Sequence, residues 1–186
     1  WAMDKLDRIF TPAQIKKLDP LYQEVLDKYT YRNAAGNFVL CWDNARFVNH
    51  SSNSNCITTA YEFELAIRDI HPGEELTDDY GYLNIAEPFE VLPEPGINRN
   101  VIYPDDLIRY HRTWDEKLLA AFPDFLQVNQ PLLALLDENV KEKIMRIAAR
   151  EDTMHSILSC YCGLKRLNGH ARDIIKERLQ EVKYPF

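Results

Sequence analysis

The chain has 186 residues, of which 46% are hydrophobic, so it can bury a core without disulfides or metal ions to hold it together. Its 22 Lys and Arg against 29 Asp and Glu give a net charge of −7, which argues against direct nucleic-acid binding as its main task. An acidic surface instead suits a basic partner, such as a lysine-rich segment of another protein, although most such charge is ordinary solvated surface.

Neither a membrane segment nor a disulfide framework is predicted. No apolar run approaches the ~20 residues that a membrane helix needs, and no signal-peptide pattern is visible. Four cysteines in a chain of this length indicate a reducing compartment, so we predict a cytoplasmic protein, or a nuclear one if its source is eukaryotic. The first residue is Trp1 and not Met, from which we expect a fragment or a processed product.

Two short helices are predicted near the start of the chain, where one capping pattern occurs twice. Thr11-Pro12 followed by Gln14 supplies a cap residue, a proline at the first helical position and a glutamine at the third. Asp19-Pro20 repeats the cap and the proline. We therefore expect helices at about residues 12–18 and 20–29.

Strands are predicted on both sides of these helices. Residues 1–3 have the character of the tail of a strand. Residues 29–31 and 37–42 flank the turn sequence at residues 33–36, which predicts a hairpin.

Residues 61–70 alternate between apolar and polar side chains, which is the period of a half-buried strand. The apolar face consists of Tyr61, Phe63, Leu65 and Ile67. Pro72 and Gly73 end the pattern, because proline lacks a ladder donor and glycine tolerates the turn. One long strand is therefore predicted here.

Two polar, turn-rich segments lie at the two ends of this strand. Residues 49–55 carry short side chains that bond to nearby backbone, and apolar residues anchor them on both sides. Residues 71–82 form the second segment. Anchored polar loops tend to bind ligands, so we expect the fold to bring both segments to a common site.

The last hundred residues change in character twice. Residues 84–103 contain three prolines and show no period, which indicates a linker or an ordered loop. From Pro104 the pattern is helical, with Leu107, Tyr110, Trp114 and Leu118 at spacings of three and four. Further helical runs are predicted at 131–150 and 171–182, and their apolar stripes indicate core contacts.

The two polar segments resemble a known pair of motifs. The first is ARFVNHS from Ala45 to Ser51 with Asn55-Cys56 following, and the second is GEELTDDYGY from Gly73 to Tyr82. In this order and spacing they are similar to the two C-terminal motifs of the SET domain, a family of S-adenosylmethionine-dependent protein-lysine methyltransferases. The resemblance is close over about residues 36–84.

The resemblance implies an α+β fold with a mostly β SET core of small sheets and pseudoknot-like threading. A helical insert at residues 11–30 would form one wall of the peptide groove. We expect the SET domain to span residues 1–83, a linker or degenerate post-SET segment 84–103, and a helical C-terminal region 104–186. The compact form is similar to that of small, stand-alone bacterial members.

In the family, the tyrosine at the position of Tyr80 points its hydroxyl to the place where the methyl group meets the amine. The resemblance therefore implies that Tyr80 is the catalytic residue and also contacts the cofactor, with Tyr82 and Tyr61 lining the substrate channel. Without the motif, Tyr80 would be interpreted as a core tyrosine whose hydroxyl has found a partner.

The resemblance further implies that Asn49 and His50, together with Arg46 and Phe47, hold S-adenosylmethionine. The alternative for His50 is a metal ligand or a general base, but no second histidine lies within ten residues of it and there is no H-E-x-x-H pattern. Arg46 and Asp79 are expected to brace the two segments against each other.

Two features of the family are missing from the sequence. The Gly-x-Gly turn of its N-terminal strands does not occur, and we expect it to lie upstream of Trp1. The zinc-binding cysteines are incomplete, because Ser52 and Leu167 stand at two of their positions and only Cys160 and Cys162 match. Two thiolates cannot close a tetrahedral zinc site. We therefore predict no metal, with the C-terminal helices closing the lysine channel instead.

Two functions remain open at this point. One is a lysine methyltransferase acting on a protein or peptide, where an apolar channel and the cationic sulfonium would favour the neutral amine. The other is a catalytically impaired SET-like module that binds basic peptides. A Rossmann-type methyltransferase is excluded, because no glycine-rich turn from strand to helix exists to seat a cofactor.

Overall fold

The computed structural model describes residues 1–165, which form small sheets and four α-helices. The strands are β1 (Arg8–Phe10), β2 (Thr30–Arg32), β3 (Phe38–Leu40), β4 (Asn49–His50), β5 (Cys56–Thr58), β6 (Glu64–Ala66), β7 (Thr77–Asp78), β8 (Phe89–Glu90) and β9 (Val101–Ile102). The α-helices are α1 (Pro12–Ile15), α2 (Pro20–Tyr29), α3 (Asp106–Ala121) and α4 (Glu138–Ala148). The predicted α+β class is confirmed, whereas the pseudoknot-like threading stays a prediction.

The first sheet contains the predicted hairpin. Strand β3 pairs antiparallel with β1 on one side and with β2 on the other, so Val39 lies opposite both Ile9 and Tyr31 and is fully buried. The capping box at Thr11 forms as expected, although α1 ends at Ile15.

The single long strand predicted at residues 61–70 is wrong. Only β6 is a strand there, and it pairs with β5 over three residues. The ladder ends at Asn55, next to β5, because the side chain of Asn55 bonds to the second polar segment. On the other side, Phe63 forms an isolated bridge with Ala2, and Glu62 has a φ of 62° that interrupts the extended backbone. The predicted apolar face is nevertheless real, since Phe63 and Leu65 are buried.

The segment at residues 84–103 is an ordered loop that contains the antiparallel pair β8 and β9. Beyond it, α3 lies where the helical pattern predicted it and buries Leu107, Trp114 and Leu118, whereas Tyr110 is partly exposed. The second predicted run becomes a 3-10 turn and α4, and the third lies outside the described residues. Within residues 1–165, no helix is both long and apolar enough to cross a bilayer.

The carboxylate of Asp115, on α3, is fully buried and joins this helix to the segment after α4. It accepts hydrogen bonds from the Ser156 hydroxyl at 2.6 Å and from the Ile157 N–H at 2.8 Å. Burial raises the pKa of Asp115 from 3.8 to about 6, despite these two bonds. The folded state therefore holds this proton at a pH where the unfolded chain has lost it.

Asp115 is expected to make the free energy of unfolding fall as the pH rises from about 4 to about 6, because the folded state prefers the protonated form. Denaturant titrations of the wild type and Asp115→Asn across this range isolate the effect. Between these two pH values, the difference in the free energy of unfolding between wild type and variant should shift by about 2 kcal/mol in favour of the variant, which has no proton to lose there. A difference that stays constant with pH would contradict this assignment.

Candidate active site

The two polar segments meet through a short parallel strand pair. Strand β4 runs beside β7, which places Asn49 opposite Thr77 and His50 opposite Asp78. The side chain of Asn55 ties the segments a second time, since its carbonyl accepts from the Thr77 N–H at 2.9 Å and its amide donates to the Glu75 carbonyl at 2.7 Å. The expectation that both segments meet in space is thereby confirmed.

Tyr80 opens a 3-10 turn, Tyr80–Tyr82, directly after β7. The Asp79 carboxylate caps this turn by accepting from the Gly81 N–H at 2.9 Å, which fixes the direction in which Tyr80 leaves the backbone. Its hydroxyl donates to the Val48 carbonyl at 2.7 Å, one residue before Asn49. Burial raises the pKa of Tyr80, with the nearby Asp78 carboxylate adding to the effect, so the side chain is a neutral phenol.

His50 links the two segments through its ring. Its Nδ1 accepts a hydrogen bond from the Tyr80 N–H at 3.1 Å, which leaves the ring proton on Nε2, 3.3 Å from the Ser52 hydroxyl. Burial lowers the pKa of His50, so the ring is neutral near pH 7. Because Nδ1 is already used by the Tyr80 backbone, this histidine is a structural acceptor in the site.

A cavity of about 360 Å³ opens beside Tyr80. Its walls come from the end of α2, from β2 and β3, from residues 45–48 and from residues 83–89, and they include the side chains of Arg46 and Tyr80. This volume lies in the range of roughly 300–1,000 Å³ found for small-molecule sites. A mixed polar and aromatic pocket therefore adjoins the junction of the two segments.

Residues 6–81 match the family model for the SET domain. This stretch of the chain is similar to the SET domain family. No curated protein and no solved structure gives a significant match. SET domains in general are S-adenosylmethionine-dependent lysine methyltransferases. The match lies within the predicted domain at residues 1–83, while the boundaries of that domain and of the two that follow stay predictions.

Two tyrosines assigned to the substrate channel of the SET domain lie elsewhere. Tyr82 is 2% exposed and its hydroxyl donates to Asp78 at 3.0 Å, which places it in the core. The Tyr61 hydroxyl accepts from the His155 N–H at 2.8 Å, beside the segment after α4. In the described part of the chain, neither side chain lines the cavity beside Tyr80. Each hydroxyl has an internal partner, and the substrate-channel role of both tyrosines stays a prediction.

The residues expected to hold the cofactor are only partly assembled. Arg46 lines the cavity but donates to the carbonyls of Cys41 and Trp42, at 3.2 and 2.7 Å. The Asn49 amide donates to the Glu75 carboxylate at 2.6 Å, and Phe47 is 53% exposed. The cofactor roles of these residues stay predictions.

The expected brace between Arg46 and Asp79 is wrong. Asp79 pairs with Arg99, whose Nη1 lies 2.5 Å from its carboxylate, and Arg99 comes from the loop between β8 and β9. The pair is well buried, with the two side chains 13% and 2% exposed. The SET motif residue Asp79 is therefore tied to the segment after the domain, because that segment supplies a guanidinium within reach.

The segment after the SET domain also lines the cavity. The expected closing of the lysine channel by the C-terminal helices stays a prediction, since residues 166–186 lie outside the described part of the chain. Phe89 lies at the rim with its ring 6.2 Å from that of Tyr80 and 6.4 Å from that of His50. The side chains of Glu94 and Arg99 reach the two motif loops. No sequence pattern indicated these roles, since a proline-rich stretch without a period does not show what its side chains will contact.

Two carboxyl groups face each other at the floor of the cavity. Glu64 on β6 and Asp78 on β7 line it and share a side-chain hydrogen bond. Burial raises the pKa of both, and their mutual repulsion raises that of Glu64 further. The pair therefore retains a proton to higher pH than ordinary carboxyls do, which gives the SET domain an acidic floor close to Tyr80.

Within residues 1–165, no three His, Cys, Asp or Glu side chains are grouped so that they could hold a metal ion. Cys160 and Cys162 are free thiols, and burial raises the pKa of Cys160 to about 11. A thiol with so high a pKa binds metal poorly, because the ligand is the thiolate. Leu167, at the third cysteine position of the family's zinc-binding tail, lies outside the described residues.

Proposed function

We propose that this protein transfers a methyl group from S-adenosylmethionine to the side-chain amine of lysine in a protein substrate. The observation that carries the proposal is the position of the Tyr80 hydroxyl. The hydroxyl donates to the Val48 carbonyl, one residue before the Asn49-His50 segment, and Tyr80 lines a cavity of suitable size. The match of residues 6–81 to the SET domain model supports the same reaction class.

The residues present fit a cationic nucleoside cofactor. The aromatic rings of His50, Tyr80 and Phe89 offer stacking surfaces, and cations favour such ring faces. Of the two carboxyl groups in the Glu64–Asp78 pair, the one that is ionised favours a positive charge in the cavity. When bound, S-adenosylmethionine supplies an activated methyl group, so the protein needs only to position the two reactants.

The chain's own groups would then act by orientation and desolvation. The neutral Tyr80 hydroxyl and the Val48 carbonyl are fixed polar groups at the cavity wall, where the amine of the substrate would arrive. The neutral His50 ring holds the Tyr80 backbone in place through Nδ1. Because the amine must lose its proton before it attacks, a site that excludes water assists by disfavouring the ammonium form.

Two measurements on the full-length protein test the proposal. Titration calorimetry with S-adenosylmethionine should show saturable binding, and incubation with the radiolabelled cofactor and lysine-rich protein should place label on lysine, located by mass spectrometry. An absence of both cofactor binding and label would contradict the proposal. Retained binding of a lysine-rich peptide in that case would instead favour the alternative, a SET-like module that binds basic peptides without catalysis.

A further inference from the structure

The carboxylate of Glu94 is fastened to the first motif loop. It accepts three hydrogen bonds, from the Ser51 hydroxyl at 3.0 Å and from the N–H groups of Ser52 at 3.0 Å and Asn53 at 3.2 Å. All three donors belong to the stretch that directly follows Asn49-His50. Bonds to an ionised acceptor are stronger than neutral ones, so Glu94 holds the backbone of this loop in one conformation.

The guanidinium of Arg99 is fastened to the second motif loop. Its Nη1 lies 2.5 Å from Asp79 and its Nη2 lies 2.7 Å from Asp106 at the start of α3, while its plane covers the Tyr110 ring at 4.8 Å. Asp79 in turn caps the turn that begins with Tyr80. Arg99 thus connects Tyr80 to α3 through one carboxylate.

Gly81 makes this contact possible. A Cβ atom on Gly81 would come within 2.2 Å of the Arg99 Nη2 and 3.1 Å of the Asp79 carboxylate. Only glycine leaves room for the guanidinium to lie against the turn. The motif loop is therefore shaped to receive a side chain from the segment that follows it.

Glu94 and Arg99 are five residues apart in the same connection, and the pair β8 and β9 fixes both ends of it. The connection itself is poorly buried, as Leu92 is 87% exposed. It is therefore held against the two loops by these charged side chains more than by packing. Glu94 of this connection contacts the first motif loop and Arg99 contacts the second, so the connection sets the distance between the two loops.

We propose that the connection between β8 and β9 is a two-point electrostatic clamp, in which Glu94 and Arg99 are positioning residues that keep the Tyr80 hydroxyl on the Val48 carbonyl. The catalytic consequence rests on the proposed methyltransferase function, whereas the positioning itself does not. Neither residue touches the cavity wall beside Tyr80, so each acts through a loop.

Amide hydrogen exchange at Tyr80 measures the clamp directly, because this N–H is bonded to the His50 ring and opens when the two loops separate. The test variants are Glu94→Ala and Arg99→Lys. Lysine keeps the charge, but its single ammonium must be shared between Asp79 and Asp106, so the contact with Asp79 is weakened. Protection at Tyr80 should fall about tenfold in Arg99→Lys, the value expected when about one charged hydrogen bond is lost. It should fall at least as much in Glu94→Ala, which loses three, and the Kd for S-adenosylmethionine should rise in both.

Two controls separate positioning from general destabilisation. Glu90→Ala removes an exposed carboxylate on β8 and should leave protection at Tyr80 unchanged. Asp106→Asn weakens the contact of Arg99 with the start of α3 and should lower the thermal midpoint. It should not lower protection at Tyr80, since the contact of Arg99 with Asp79 remains.

Protection at Tyr80 within twofold of wild type in both Glu94→Ala and Arg99→Lys would overturn the clamp. An equal loss of protection across the whole domain would overturn it too, because the two residues would then be ordinary stabilising contacts. If protection falls selectively while the wild type binds no S-adenosylmethionine, the clamp stands and the proposed function fails.

Discussion

Replacement of Tyr80 by Phe is expected to lower kcat for methyl transfer about 100-fold while the Kd for S-adenosylmethionine changes little, which is the size of effect seen when one fixed polar group is removed from a reacting centre. The phenyl ring keeps the packing against His50 and Phe89, at 5.4 and 6.2 Å between ring centroids. Only the Tyr80 hydroxyl, which donates to the Val48 carbonyl, is lost. Single-turnover kinetics with labelled cofactor separate the chemical step from cofactor binding.

Tyr22→Phe is the matched control for this experiment. Tyr22 is 62% exposed on α2, so removal of its hydroxyl should leave both constants at their wild-type values. Mass spectrometry of the product adds a second readout, because a changed number of methyl groups on each lysine would also show that the hydroxyl faces the amine. Normal methylation by Tyr80→Ala would exclude the catalytic role.

Replacement of Asp79 by Ala is expected to lower the free energy of unfolding by about 3–5 kcal/mol, the cost of removing one partner from a buried ion pair. Asp79 is 1% exposed, and the variant would leave one side of the Arg99 guanidinium without its carboxylate while the Gly81 N–H loses its cap. Denaturant-induced unfolding, followed by tryptophan fluorescence, measures the change; Trp114 lies below Arg99 at 5.9 Å.

The surface ion pair between Arg68 and Glu74 supplies the control for Asp79→Ala. Its side chains are 47% and 28% exposed, and solvent screening leaves such a pair with little net stabilisation. Glu74→Ala should therefore cost much less than Asp79→Ala. Equal losses in the two variants would show that the buried pair contributes no more than a solvated one.

Features that depend on near neighbours in the chain were predictable. Thr11 and Gln14 form their capping box because the bonded groups are three residues apart, and any backbone that starts a helix there brings them together. The alternation around Phe63 and Leu65 identified the buried face for the same reason. The long strand failed because alternation reports which face is buried and does not report how many ladder partners the neighbouring chain provides.

Features that depend on distant partners were not predictable. The pattern of residues 71–82 marked Tyr82 as a second aromatic of the site, but its hydroxyl found Asp78 and the Cys56 carbonyl in the core. Asp79 was expected to meet Arg46 and instead meets Arg99, 20 residues further along the chain. In both cases the chain contains several partners of suitable chemistry, and the path of the backbone determines which of them lies within hydrogen-bonding distance.

The sequence by itself determined the two motif segments of the SET domain, the pairing of Asn49-His50 with the segment that carries Tyr80, and the local capping of the first helices. Only the tertiary structure decided that the loop with Glu94 and Arg99 fastens both segments and that its Phe89 lines the cavity. The physical reason is that a charged side chain in an irregular loop can reach many partners. Its contact is fixed only when the strands on both sides of the loop, here β8 and β9, set where that loop passes.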